Sequence, residues 1–122
     1  MTKMILPIYP EYIDLIIKGK KKYEFRKFTC KKEVKTILLY ATHPIKAIVG
    51  EAKILDIIKN TPENVWEMTK DFAGMSKEAF DIYYCDKKVA IAYELGNIKT
   101  YKTPKSLKDF NLDIVPRSFA YV

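Results

Sequence analysis

The sequence predicts an α+β domain: a small β-barrel with one early helix and a later helix pair. Three observations lead there. Five to seven short runs have the apolar or alternating pattern of strands. Glycine and proline punctuate those runs at short intervals, as in barrels rather than open sheets. Two proline-led helix starts, near Pro10 and Pro62, separate the strands into groups. The chain of 122 residues, 48% of them hydrophobic, fits a single domain over 1–122 with its own core. No repeat, low-complexity tract or linker interrupts it.

Met4 to Ile8 is a short apolar strand. Pro10 then takes the first helical position, with Glu11 and Asp14 in the electropositive first turns. Tyr9, Tyr12, Ile13, Ile16 and Ile17 share one helical face, and Lys18-Gly19 ends the helix. Tyr23 to Phe28 alternates, Tyr23 and Phe25 on one side, Lys22, Glu24 and Arg26 on the other. Thr36 to Ala41 is continuously apolar, so a strand buried on both faces is expected. Ala47 to Ile58 follows as a strand, with Gly50 marking a bulge or a close approach. Thr61-Pro62-Glu63 starts a helix with Val65, Met68, Thr69 and Phe72 inward and Gly74 as its stop. Ser76 caps a further short helix, with Met75 and Phe80 placed as a hydrophobic staple and Phe80, Tyr83 and Tyr84 inward. Val89 to Leu95 alternates as a central strand, which Gly96-Asn97 is expected to turn into Ile98–Lys102. Ser118 to Val122 is the expected closing strand.

Composition excludes several classes. No apolar run is long enough for a membrane span, and the start of the chain lacks a signal peptide's pattern. Cys30 and Cys85 fit no metal-ligand spacing and His43 is the only histidine, so neither a metal nor another cofactor is expected. Free thiols in a reducing, cytoplasmic setting are the expectation, with one disulfide as the alternative. The net charge is +7, and Lys18 to Lys35 alone carries all of it: eight lysines and Arg26 against Glu24 and Glu33. A cationic segment of that density suits an anionic partner, nucleic acid first. Within it, Lys21, Glu24 and Arg26 crowd into six residues just past the helix stop. They form either a self-neutralising surface patch or the wall of a polar pocket.

Gly19-x-Lys21-x-x-Glu24-x-Arg26, Tyr40-Ala41-Thr42-x-Pro44, Gly50-Glu51-Ala52 and Pro116-Arg117-Ser118-Phe119-x-Tyr121 occur in that order. Together they resemble the signature and flanking segments of the ASCH domain family, in its short bacterial, archaeal and phage type. The resemblance covers most of the chain. It implies a PUA-like barrel and a ligand that is RNA, a nucleotide or a nucleoside, engaged in the cleft that carries the signature. Some small members are described as enzymes, an amidohydrolase that deacetylates N4-acetylcytidine and a ribonuclease. In the amidohydrolase type a lysine at the place of Lys21 is nucleophile or activator, a threonine at the place of Glu24 orients it, and a glutamate between the later helices is the acid–base. This chain has Glu24 instead of the threonine and reads Asp71-Phe72-Ala73-Gly74 at the helix connection.

The candidate ligand-binding residues are therefore Lys21, Glu24, Arg26, Thr42 and His43. Lys21 and Glu24 are also the candidate catalytic pair. Lys21 reads as a phosphate or base contact, a solvated lysine or a catalytic base. Glu24 and Arg26 read as a pocket wall or a plain same-face ion pair. Glu51 reads as an ordinary strand charge, Trp66 as core packing, and Tyr9, Tyr12, Tyr83, Tyr84 and Tyr93 mostly as core. Three functions remain in view: an RNA- or nucleotide-binding module, a small hydrolase using Lys21, and a subunit whose basic face meets a protein partner.

Overall fold

In the computed structural model, which describes residues 2–122, six strands form one mixed sheet. The elements are β1 (Met4–Ile8), α1 (Pro10–Ile17), β2 (Tyr23–Arg26), β3 (Thr36–Ala41), β4 (Ala47–Asn60), α2 (Pro62–Thr69), α3 (Lys77–Tyr83), β5 (Ala90–Lys105) and β6 (Ala120–Tyr121). Single 3-10 turns lie at Lys70–Phe72 and Leu107–Phe110. Strand order is β2-β5-β4-β3-β1-β6, with β1 parallel to β3 and every other pair antiparallel. The sheet bends into a half-barrel, the α+β arrangement expected from the sequence. It leaves β2 and β6 as its two edges.

The apolar runs explain the layers. β1 and β3 lie side by side in the middle of the chain's most hydrophobic segments, and all of β3 is buried. Ile37, Leu39 and Ala41 face the barrel interior with Met4, Leu6, Ile13, Ile16 and Tyr93. Leu38 and Tyr40 face outward under Leu107, Phe110, Leu112 and Val122. The unbroken TILLYA run thus has a cover on each side. A third cluster seats Val65, Phe80 and Tyr84 of the helix pair on Phe25 and Ala92 of β2 and β5. Phe80 is its hub, with Phe25, Trp66 and Tyr84 rings within 5.1 Å of its own centroid. Both later helices carry the expected caps: Thr61 accepts from the Asn64 N–H and Ser76 from the Ala79 N–H.

Four expectations are corrected. β2 ends at Arg26, and Phe28 is exposed, because the chain leaves the sheet there toward the far edge. Gly96-Asn97 does not turn the chain: β5 runs on for 16 residues. Asn97 takes a positive φ of 49°, and register shifts along β4–β5 absorb the irregularity. The missing Cβ of Gly96 makes room for Leu55, whose Cδ1 lies 2.6 Å from where it would stand. Met68 lies on the outer face of α2, and past Thr69 the helix tightens into the 3-10 turn that leaves Phe72 at the surface, so neither is in the core. Tyr9, just before α1, is exposed rather than packed inside. Gly50 is a close approach as expected: a Cβ there would stand 2.5 Å from the Lys99 carbonyl oxygen.

Candidate functional site

The turn after α1 drives Lys21 inward. Gly19 takes a positive φ of 77°, and the Lys20 and Lys21 N–H groups both donate to the Leu15 carbonyl. Lys22 then locks into the body, its N–H donating to Phe72 O and its carbonyl accepting from the Leu95 N–H. Between these anchors the Lys21 side chain has one direction left, into the interior, and it is 2% exposed. Its stem lies against Gly74, which has a φ of 68° and no Cβ. A methyl there would stand 2.5 Å from Lys21 Cβ and Cγ. The ammonium donates to the Ala73 carbonyl at 2.6 Å and sits over the rings of Tyr12 and Phe25, 5.0 and 4.8 Å from their centroids.

β2 supplies the other two signature groups. Glu24 is buried and its Oε2 accepts from Arg26 Nε at 3.0 Å and Nη2 at 2.7 Å. The same guanidinium crosses the open side of the half-barrel. Its Nη2 donates to Pro7 O at 2.7 Å and its Nη1 to Ser118 O at 3.2 Å. Arg26 therefore fastens edge strand β2 to β1 and to the segment leading into β6. It spends most of its fork on the protein itself. Among the described residues no hydrogen bond engages Glu24 Oε1, and two of the three Lys21 ammonium protons are unspent.

These groups form the floor of a cavity of about 660 Å³. Lys21, Glu24, Arg26 and Thr42 all border it; His43, an exposed loop residue, does not. The walls are mostly apolar: Pro7, Ile8, Met75, Ala79, Ile82, Val115 and Pro116, with the rings of Tyr9, Tyr12, Phe25 and Tyr83 among them. Arg117 stands at the rim and belongs to no ion pair among the described residues. Burial lowers the Lys21 pKa from that of a free lysine; Glu24 opposes the shift and Arg26 adds to it. Burial likewise raises the Tyr12 and Tyr83 hydroxyls, which remain donors across the neutral range.

The reading of Lys21 as a solvated lysine is corrected by its burial. Asp71, the one acidic residue of the Asp71-Phe72-Ala73-Gly74 helix connection, is exposed and does not border the cavity. What Lys21 meets from the helix connection is the Ala73 carbonyl. Sequence reasoning missed the aromatic walls, having assigned Tyr9, Tyr12 and Tyr83 mostly to the core. It also missed the rim. The Pro116-Arg117 dipeptide carried the usable signal, since a proline-arginine step beside the closing strand lies where a barrel's open end must be bordered. Trp66 packs against the Phe80 cluster, as expected. Among the described residues no group of three His, Cys, Asp or Glu side chains could hold a metal, and no helix is long and apolar enough to cross a membrane. Cys30 and Cys85 are free thiols.

The half-barrel has the fold of ASCH proteins. The crystal structure of ASCH from Zymomonas mobilis superposes with a TM-score of 0.89 at 24% identity, covering 98% of this chain and 87% of that one. The chain belongs to the family described as "Domain of unknown function (DUF365)", matched over residues 1–114. An ASCH domain-containing ribonuclease from Zymomonas mobilis is 26% identical over 110 residues, 89% of this chain and 70% of that protein. Two further relatives come from Ureaplasma parvum. An ATP synthase subunit alpha is 27% identical over 98% of this chain, and the large ribosomal subunit protein uL22 is 30% identical over 80%. The chain spans only 15% and 32% of those two proteins.

Proposed function

We propose that the protein binds an unpaired nucleotide, free or within RNA, with its base in the cavity over Lys21 and Glu24. One observation carries this: Glu24 Oε1, an acceptor open to the cavity, and the Lys21 ammonium, a donor, both with unspent capacity, floor an aromatic-walled cavity of nucleotide size. A base edge presents donor and acceptor side by side, and its faces suit tyrosine rings. Arg26 supports the site by holding Glu24 rather than by forking onto the ligand. Thr42 and Arg117 border the opening, where sugar and phosphate would lie.

A second reading has its own support. Burial shifts Lys21 toward the neutral amine, the form a general base needs, and one relative is named a ribonuclease. The cavity supplies Glu24 as the nearest carboxylate, tied to Arg26, and no acid between the helices. Binding therefore stands first and hydrolysis second. The test is calorimetric titration with the four ribonucleoside monophosphates and with N4-acetylcytidine, followed by chromatography of each mixture. Binding that Glu24→Gln and Lys21→Met both abolish, with ligands recovered unchanged, supports the first reading. Turnover lost in Lys21→Met supports the second. No binding of any of them sinks the base-cavity account.

A further inference from the structure

The basic segment divides in two in the fold. Lys18 is paired with Asp14, and Lys22 lies over the Phe72 ring at 4.1 Å, away from the cavity. Lys27, Lys31 and Lys32 lie on the other side, on the loop that leaves β2 beside the cavity and meets β6 at the far edge. That loop is held by design of its side chains. Tyr83, a cavity wall, carries the Lys27 ammonium over its ring at 4.6 Å. The Tyr121 hydroxyl accepts from the N–H groups of both Lys31 and Lys32, at 2.8 and 3.2 Å, and its ring carries the Lys32 ammonium at 4.9 Å. The Cys30 N–H donates to the Tyr93 hydroxyl. Among the described residues none of these three lysines has a carboxylate partner.

We infer that Lys27, Lys31 and Lys32 form a phosphate track that leads from the cavity rim along the open seam, so that the ligand is a single strand of several nucleotides rather than a lone nucleotide. This rests on the base-binding reading and deepens it. Cations on a backbone anchored by hydrogen bonds lose little freedom on meeting an anion, and cations without carboxylate partners have no ion pair to break. The five residue steps from Lys27 to Lys32 reach at most about 18 Å. With one phosphate per lysine the track makes about three contacts and contributes about −2 to the slope of log K against log salt for a single strand. The adjoining base-sized cavity favours a nucleic acid over a featureless polyanion.

The test is fluorescence anisotropy with a labelled eight-nucleotide single-stranded RNA across a salt series, beside calorimetry with a nucleoside monophosphate. The variants are Lys31→Ala/Lys32→Ala, and Lys102→Ala as an exposed control on β5. The expected result is a slope shallower by about 1.4 in the double variant, at about 0.7 per lost phosphate contact. Monophosphate binding and the Lys102→Ala slope should match the parent protein. An unchanged slope in the double variant, or an equal change in Lys102→Ala, overturns the track while leaving the cavity reading intact. Displacement of the RNA by inorganic polyphosphate as readily as by unlabelled RNA also overturns it, because the seam would then be an unspecific anion surface. If neither RNA nor monophosphate binds the parent protein, the cavity reading falls and the track with it.

Discussion

Replacing Arg26 by methionine keeps the length of the side chain and removes its charge. Four hydrogen bonds go: two to Glu24 Oε2 at 3.0 and 2.7 Å, one to Pro7 O at 2.7 Å and one to Ser118 O at 3.2 Å. The Ser118 carbonyl lies at the surface, where water can replace the donor. Glu24 cannot be served so easily, because its side chain is 8% exposed and loses the one ion pair it makes among the described residues. Stranding a buried charge costs about 3–5 kcal/mol, and this term dominates. Urea denaturation should therefore show a loss of that size, and the Arg26→Met/Glu24→Gln double variant should recover about 2 kcal/mol of it by removing the stranded charge. Hydrogen exchange should quicken at Ala120 to Val122, because the clasp on the open seam is gone. A loss below about 1 kcal/mol, or a double variant as unstable as the two single changes added together, would refute the clasp.

Three other changes test neighbouring parts of the account. Gly74→Ala places a methyl 2.5 Å from the Lys21 stem at a φ of 68°; a loss of about 2–4 kcal/mol on denaturation and weaker nucleotide binding are expected, from overpacking and a left-handed alanine. Lys21→Met should leave stability at neutral pH within about 1 kcal/mol, since a buried charge gives way to an apolar side chain of similar shape, while ligand binding is lost. The buried lysine also sets a pH trend, measured as the stability difference between the parent protein and Lys21→Met. Its folded pKa lies below that of a free lysine because of burial, so between the two the unfolded chain binds more protons. The difference should rise in favour of the parent protein as pH climbs through that window, and a flat difference would contradict the burial. Tyr121→Phe removes the shared acceptor of the Lys31 and Lys32 N–H groups, so those two amides should exchange faster with little change in global stability.

Local patterns marked the ends of several elements because each has a local cause. β1, α1 and β3 lie where the apolar runs and Pro10 put them. Thr61 and Ser76 cap their helices through their own hydroxyls. Long-range causes were out of reach. The continuity of β5 past Asn97 depends on the pairing of β4 and on Leu55 filling the gap at Gly96, which no window around Gly96-Asn97 contains. The site divides the same way. Lys21, Glu24, Arg26 and Thr42 stood out as a motif and do border one cavity. The inward turn of Lys21 follows from anchors at Leu15, Phe72 and Leu95. The change of Arg26 from ligand fork to seam clasp follows from carbonyls 19 and 92 residues away. Tyr83 looked like core because its helix face is apolar, and it proves to be a wall because that face borders a cavity rather than a filled interior.

The most direct measurement is an amide shift map of isotope-labelled protein titrated with the eight-nucleotide RNA. The account predicts that the largest changes fall on Lys21, Phe25, Thr42, Tyr83 and Arg117 around the cavity, with a second set at Lys27, Lys31 and Lys32. Changes confined to the groove between α2 and α3, beside Trp66 and Lys77, with the cavity residues unmoved, would contradict it.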